Sequence, residues 1–112
     1  MTQVVYWRQE LPPLSELLEG EHEIEAESAH VHYDFGDRQA MWRECYGLLA
    51  TVAEERVRQE ISRLGGSCAH IIEEQITART DDGSALFWLR GRFRFLMYRH
   101  PGGAAGSQPP RS

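Results

Sequence analysis

Residues 68–99 read CAHIIEEQITARTDDGSALFWLRGRFRFLMYR, two runs rich in β-branched and aromatic residues either side of an Asp-Gly pair, which is the pattern of a β-hairpin. Strands are expected over 68–79 and 85–99. Asp82-Gly83 suits a two-residue type I′ turn, in which both central residues take positive φ. Such a turn sets Ile72 against Phe93, Ile76 against Leu89 and His70 against Phe95 on one face, and Glu73 against Arg92 on the other. Apolar then meets apolar and acid meets base, as cross-strand pairs prefer. Phe93 and Phe95 are expected to face the core, and Arg90, Arg92 and Arg94 to face away.

Upstream of the hairpin, Trp42, Tyr46, Leu49, Ala53, Val57, Ile61 and Leu64 recur at three- and four-residue steps. They predict one helix from Asp37 to Leu64, ~40 Å long at 1.5 Å per residue. Asp37 is a good N-cap, and Gly65-Gly66 a good stop, because glycine takes the left-handed conformation without a side-chain clash. Before the helix, HEIEAES (22–28) alternates Glu23, Glu25 and Glu27 with His22, Ile24 and Ala26, the period of a half-buried strand. The apolar phase changes at Val31, Tyr33 and Phe35, so a bulge or break is expected near Ser28–His30. Residues 1–20 contain Pro12-Pro13 and are expected to form an irregular N-terminal arm. The tail 101–112, PGGAAGSQPPRS, has the composition of a disordered segment.

The order strand, helix, strand, strand gives an α+β class and a single domain over 1–100. A right-handed crossover places the first strand beside the third, for a three-stranded sheet of order 1-3-2 under one long helix. In that arrangement Glu23, Glu25 and Glu27 lie along Arg94, Arg92 and Arg90.

Charge and composition narrow the function classes. The 112 residues carry a net charge of −5, which argues against a nucleic-acid binder held by phosphate contacts. RGRFRFLMY (90–98) resembles an RNA-recognition strand only superficially, since its aromatics fall on the wrong parity for base stacking. All 12 basic residues are arginines, so a Schiff-base lysine and a phosphate-binding P-loop are absent. No apolar run has the ~18 residues of a membrane span, and residues 1–13, MTQVVYWRQELPP, read as neither a basic leader nor an apolar signal core, so a cytoplasmic location is expected, with Cys45 and Cys68 reduced.

The candidate site residues come from polar side chains in apolar surroundings. Glu74 is expected inward, beside Gly91 and Ala26, whose small size leaves room for a pocket under the helix. A carboxylate there needs a partner or a raised pKa, and either condition marks a site. A bulge in Glu73-Glu74-Gln75 that turns Glu74 outward is the alternative. His70 is a further ligand-binding candidate, and in an enzymatic reading it would assist Glu74. His30 and His32 share one side of an extended segment, as metal ligands sometimes do, and Cys68 and His70 form a second pair at a sheet end. Neither pair completes a ligand set, and the cofactor is left open.

Residues 55–96, with EISRLGGSCAHIIEEQI (60–76) and GSALFWLRGRF (83–93), resemble the YbjQ-type heavy-metal-binding family. The resemblance rests on Leu64, Gly65 and Gly66 ending the helix, on Ala69, Ile71 and Ile72, and on Gly91 and Phe93. It implies a compact α+β fold that assembles into rings, hence a homo-oligomer. Trp7, Trp88, Leu86 and Leu96, on surfaces one helix would not cover, fit that expectation. The acidic N-terminal third departs from the family, so no ligand carries over to a numbered residue. The expected function is a non-enzymatic oligomeric module binding a small ligand or metal at a pocket or subunit boundary. The alternatives are a small enzyme with Glu74 as general acid or base and a protein-interaction subunit docking through residues 4–18.

Overall fold

Asp37 accepts a hydrogen bond from the Ala40 amide at 2.9 Å and starts helix α1, Arg38–Leu64, which ends at Gly65 in the left-handed conformation (φ 79°). The computed structural model describes residues 4–13, 16–33 and 36–99. Phe35 and the tail 101–112 lie outside the described residues. The other elements are β1 (Val4–Tyr6), β2 (Glu16–Leu17), β3 (His22–Glu27), β4 (Val31–His32), β5 (Cys68–Asp81) and β6 (Leu86–Arg99).

These strands form one six-stranded sheet, not the expected sheet of three. Two differences account for this. The N-terminal segment, expected as an irregular arm, contributes two short strands, and in the first of them Val4, Val5 and Tyr6 pair in parallel with Cys68, Ala69 and His70. The chain preceding the helix lies along the outer side of β6 in three pieces, β2 opposite Arg99 and Tyr98, β3 opposite Phe95 to Arg90, and β4 opposite Phe87 and Leu86. Valine and tyrosine favour a pleated surface, but a three-residue parallel pairing leaves no turn signal in the sequence. Between β3 and β4 the chain departs at Ser28, where the break was expected. There the Ser28 hydroxyl stands in for a backbone carbonyl and accepts from the Leu89 amide at 3.0 Å.

The hairpin register also differs from the expected one. The connection is a wider turn, Asp82–Ala85, closed by Asp81 opposite Leu86. Asp81 organises it, accepting from the Gly83 amide at 3.1 Å through its side chain and from Ser84 through its carbonyl. Positive φ falls on Ala85 (54°) rather than on Asp82 and Gly83. Ile76 therefore faces Gly91, Glu73 faces Arg94 and His70 faces Leu96. A bulge between Ile71 and Glu73 resets the phase, so that Ala69 and Ile71 before it and Ile76 after it can all meet the core. An unbroken period of two would have turned one set to solvent.

Phe93 and Phe95 are fully buried beneath α1 together with Leu89 and Ile71, which agrees with the expected parity of β6. The helix buries Met41, Cys45, Leu49, Ala53, Val57 and Ile61. Each four-residue step overshoots a full turn by about 40°, so this stripe winds round the helix and follows the twist of the sheet. Trp42, Tyr46 and Leu64, expected in the stripe, fall at its margins, and Trp42 is 41% exposed. The opposite face of the sheet carries the charge ladder. Arg92 meets Glu23 at 2.8 Å, Arg90 meets Glu25 at 3.2 Å, and Arg94 meets both Glu21 and Glu73. Among the described residues no helix is long and apolar enough to cross a membrane.

Candidate functional site

Glu74 does face the helix side, but it lies opposite Phe93 and not beside Gly91. Gly91 and Ala26 are paired with each other, and the space above them is filled. A Cβ on Gly91 would come within 2.6 Å of the Phe93 ring and 3.1 Å of Leu49 Cδ2. The two small residues admit a phenyl ring and a leucine rather than a ligand.

The Glu74 carboxylate finds a partner at the helix margin, where Tyr46 donates its hydroxyl to Oε1 at 2.7 Å. Burial, with the Glu74 hydrogen bond and charge second, pushes the Tyr46 phenol up to about 12. Arg8 acts against this by attraction for the phenolate. The Tyr46 ring stacks on Trp42 with centroids 5.3 Å apart and planes at 8°. Trp7 also turns inward, edge-on to Phe93 at 5.9 Å, and its indole N–H donates to Glu54. Trp7 is thus part of the fold and not of a free surface. Neither Tyr46 nor Trp42 could be tied to Glu74 from spacing, because α1 and β5 are brought together only by the fold.

His70 lies elsewhere. It belongs to the stretch of β5 before the bulge, and its Nε2 is 3.2 Å from the Trp7 carbonyl, a contact in which the imidazole N–H must donate. Instead, His22 is the imidazole that stacks on Phe95, at 5.5 Å. The His30 ring stacks on Trp88 at 3.9 Å, while His32 is exposed on β4 opposite Leu86. Cys68 is buried between Val4 and Tyr98, and neither cysteine is in a disulfide. Among the described residues no three His, Cys, Asp or Glu side chains are grouped so as to hold a metal ion. A shallow groove of about 270 Å³ on the charged face, bounded by Gln75, Thr77 and Arg79 of β5 and by Arg90 and Arg92 of β6, is open to solvent.

The remaining feature with functional content is the outer rim of β5. β1 covers it only from Cys68 to His70. From Glu73 to Asp81, β5 is hydrogen-bonded to β6 on one side, and among the described residues no strand pairs with the other. The segment contains neither proline nor glycine, so its backbone donors and acceptors form a regular, continuous rim, the kind that accepts a further strand. On the helix side this rim is flanked by Ile76 and by the Tyr46–Trp42 stack. Comparison with family models, curated proteins and solved structures gives no match to this chain.

Proposed function

We propose that this chain is a non-enzymatic module whose role is exercised through self-association. The observation that carries the reading is the unpaired rim of β5 over Glu73–Asp81 with the partly exposed Trp42, Tyr46 and Ile76 alongside. Backbone groups without partners and apolar surface beside them are satisfied together by an added strand. The resemblance to the YbjQ-type family points the same way. A cytoplasmic location suits a chain whose two cysteines are both buried and outside any disulfide.

A role for Glu74 as general acid or base has less support, since its carboxylate is engaged by Tyr46 and the pocket expected beside Gly91 is filled. For a small ligand, the subunit boundary is the better-supported location. A second reading, docking of residues 4–18 on a different protein, is favoured by Leu11 and Leu17, which are 86% and 54% exposed. Sedimentation equilibrium over a hundredfold concentration range separates the two. A concentration-dependent mass above one chain is expected, and a monomer throughout would refute self-association and leave the docking reading.

A further inference from the structure

We propose, resting on the self-association reading, that two copies pair through β5 in antiparallel fashion with Ile76 on the two-fold axis, so that Glu73 of each chain meets the partner's Arg79.

A two-fold axis between antiparallel strands stands perpendicular to the sheet. It keeps both helices on one face and passes through a residue position, so each paired residue meets one of the same face. Within Glu73–Asp81, such an axis can pass near Gln75, Ile76, Thr77 or Ala78. Charge separates these registers. Centring on Ala78 pairs Arg79 with the partner's Thr77 and leaves Glu73 beyond the end of the partner's strand, so that register forms no opposite-charge pair, and centring on Thr77 puts Glu73 against the partner's Asp81. Like charges directly opposite oppose pairing. Centring on Gln75 leaves Arg79 level with the bulge that precedes Glu73 in the partner's β5, with no carboxylate opposite it. Centring on Ile76 puts Glu73 against the partner's Arg79 and Gln75 against the partner's Thr77 on the charged face, each pair occurring twice by symmetry. On the helix face the same register places Ile76 against the partner's Ile76 and Glu74 against the partner's Ala78, next to the Trp42–Tyr46 stack.

Arg79 supplies an independent indication. Arg90, Arg92 and Arg94 on that face each reach at least one carboxylate in their own chain. Arg79 has no ion pair among the described residues. Glu73 already holds Arg94 and the Gln75 amide, yet a carboxylate offers about four acceptor positions and can take a second guanidinium.

The test uses full-length chains. Alone, E73R places Arg against Arg across the axis and R79E places Glu against Glu. Each is expected to weaken the dimer about tenfold or more, as two like-charged pairs replace two opposite ones. An equimolar mixture restores both pairs, and native mass spectrometry is expected to show a dimer containing one of each. That recovery cannot occur if either variant has merely failed to fold. In a second measurement, oxidation is expected to cross-link Ile76→Cys into a covalent dimer and to leave Thr80→Cys and the wild type monomeric on denaturing gels. A wild-type dimer with no complementation in the mixture, or with cross-linking at position 80 in place of 76, overturns this register while self-association stands. A wild-type monomer at every concentration overturns the self-association reading itself.

Discussion

The Tyr46 hydroxyl and the Glu74 carboxylate meet at 2.7 Å across the margin between helix and sheet. This contact satisfies a carboxylate that the β5 bulge leaves on the apolar side. Tyr46→Phe removes the donor and is expected to cost about 1–2 kcal/mol in urea unfolding, in the range for a hydrogen bond to a charged acceptor at a partly solvated position. Glu74→Gln keeps an acceptor and is expected to cost less than Tyr46→Phe. The reverse order would place the stabilisation in the charge.

The same pair has a signature in alkali. The folded phenol of Tyr46 titrates near 12, above its ordinary 10. The folded state therefore favours the protonated form, and the resulting stability is fully present below pH 10 and lost as pH rises towards 12. Spectrophotometric titration of tyrosinate is expected to show a component near 12 that disappears in Tyr46→Phe.

Gly91 is required for the approach of Phe93. Its added Cβ would lie 2.6 Å from a ring that is fully buried and cannot swing away. Gly91→Ala is expected to destabilise by about 1–3 kcal/mol, the usual range for overpacking, and combining it with Phe93→Leu should recover part of the loss in thermal unfolding.

Ser28→Ala leaves the buried Leu89 amide without the hydroxyl that accepts from it. A loss of about 1–3 kcal/mol is expected for an unsatisfied buried donor. Hydrogen exchange at Leu89 should accelerate more than at Phe95, which lies within the regular β3–β6 ladder.

The arginine–glutamate ladder is solvent-exposed, with side chains 39–55% accessible from Glu73 and Arg94 to Arg92 and Glu21. Arg92→Ala is expected to cost less than about 1 kcal/mol, in line with surface ion pairs. That difference from wild type should shrink as salt is raised.

Much of the scaffold is legible in the sequence because two independent signals coincide. Arg and Phe alternate from Arg92 to Phe95 and so fix the parity of β6, while glutamates alternating in β3 select the register against those arginines. Asp37 and Gly65 bracket the helix by capping chemistry alone. The hairpin register is not legible, because Asp-Asp-Gly-Ser suits a tight turn and a wider one equally. Nor is the bulge, since Ile71 and Ile72 are both apolar and either could point inward. The partnership of Glu74 with Tyr46 depends on the rotation of a helix over a twisted sheet, which spacing along the chain does not specify. The expected pocket fails for a simple reason: small residues mark a gap in the sequence, and here the neighbouring phenylalanine on the same strand fills it.

The three-piece border along β6 bears on how far assembly can proceed. Its longest piece is the six-residue β3, flanked by the bend at Gly20 and the break at Ser28, so that border offers no long uninterrupted backbone for a newcomer. Among the described residues the long uninterrupted stretch of unpaired strand is Glu73–Asp81 of β5, and the proposed pairing of two copies would use it up. Accretion through strands would then stop at a closed pair instead of extending into a fibre, making the segmentation of β2, β3 and β4 a safeguard against runaway polymerisation.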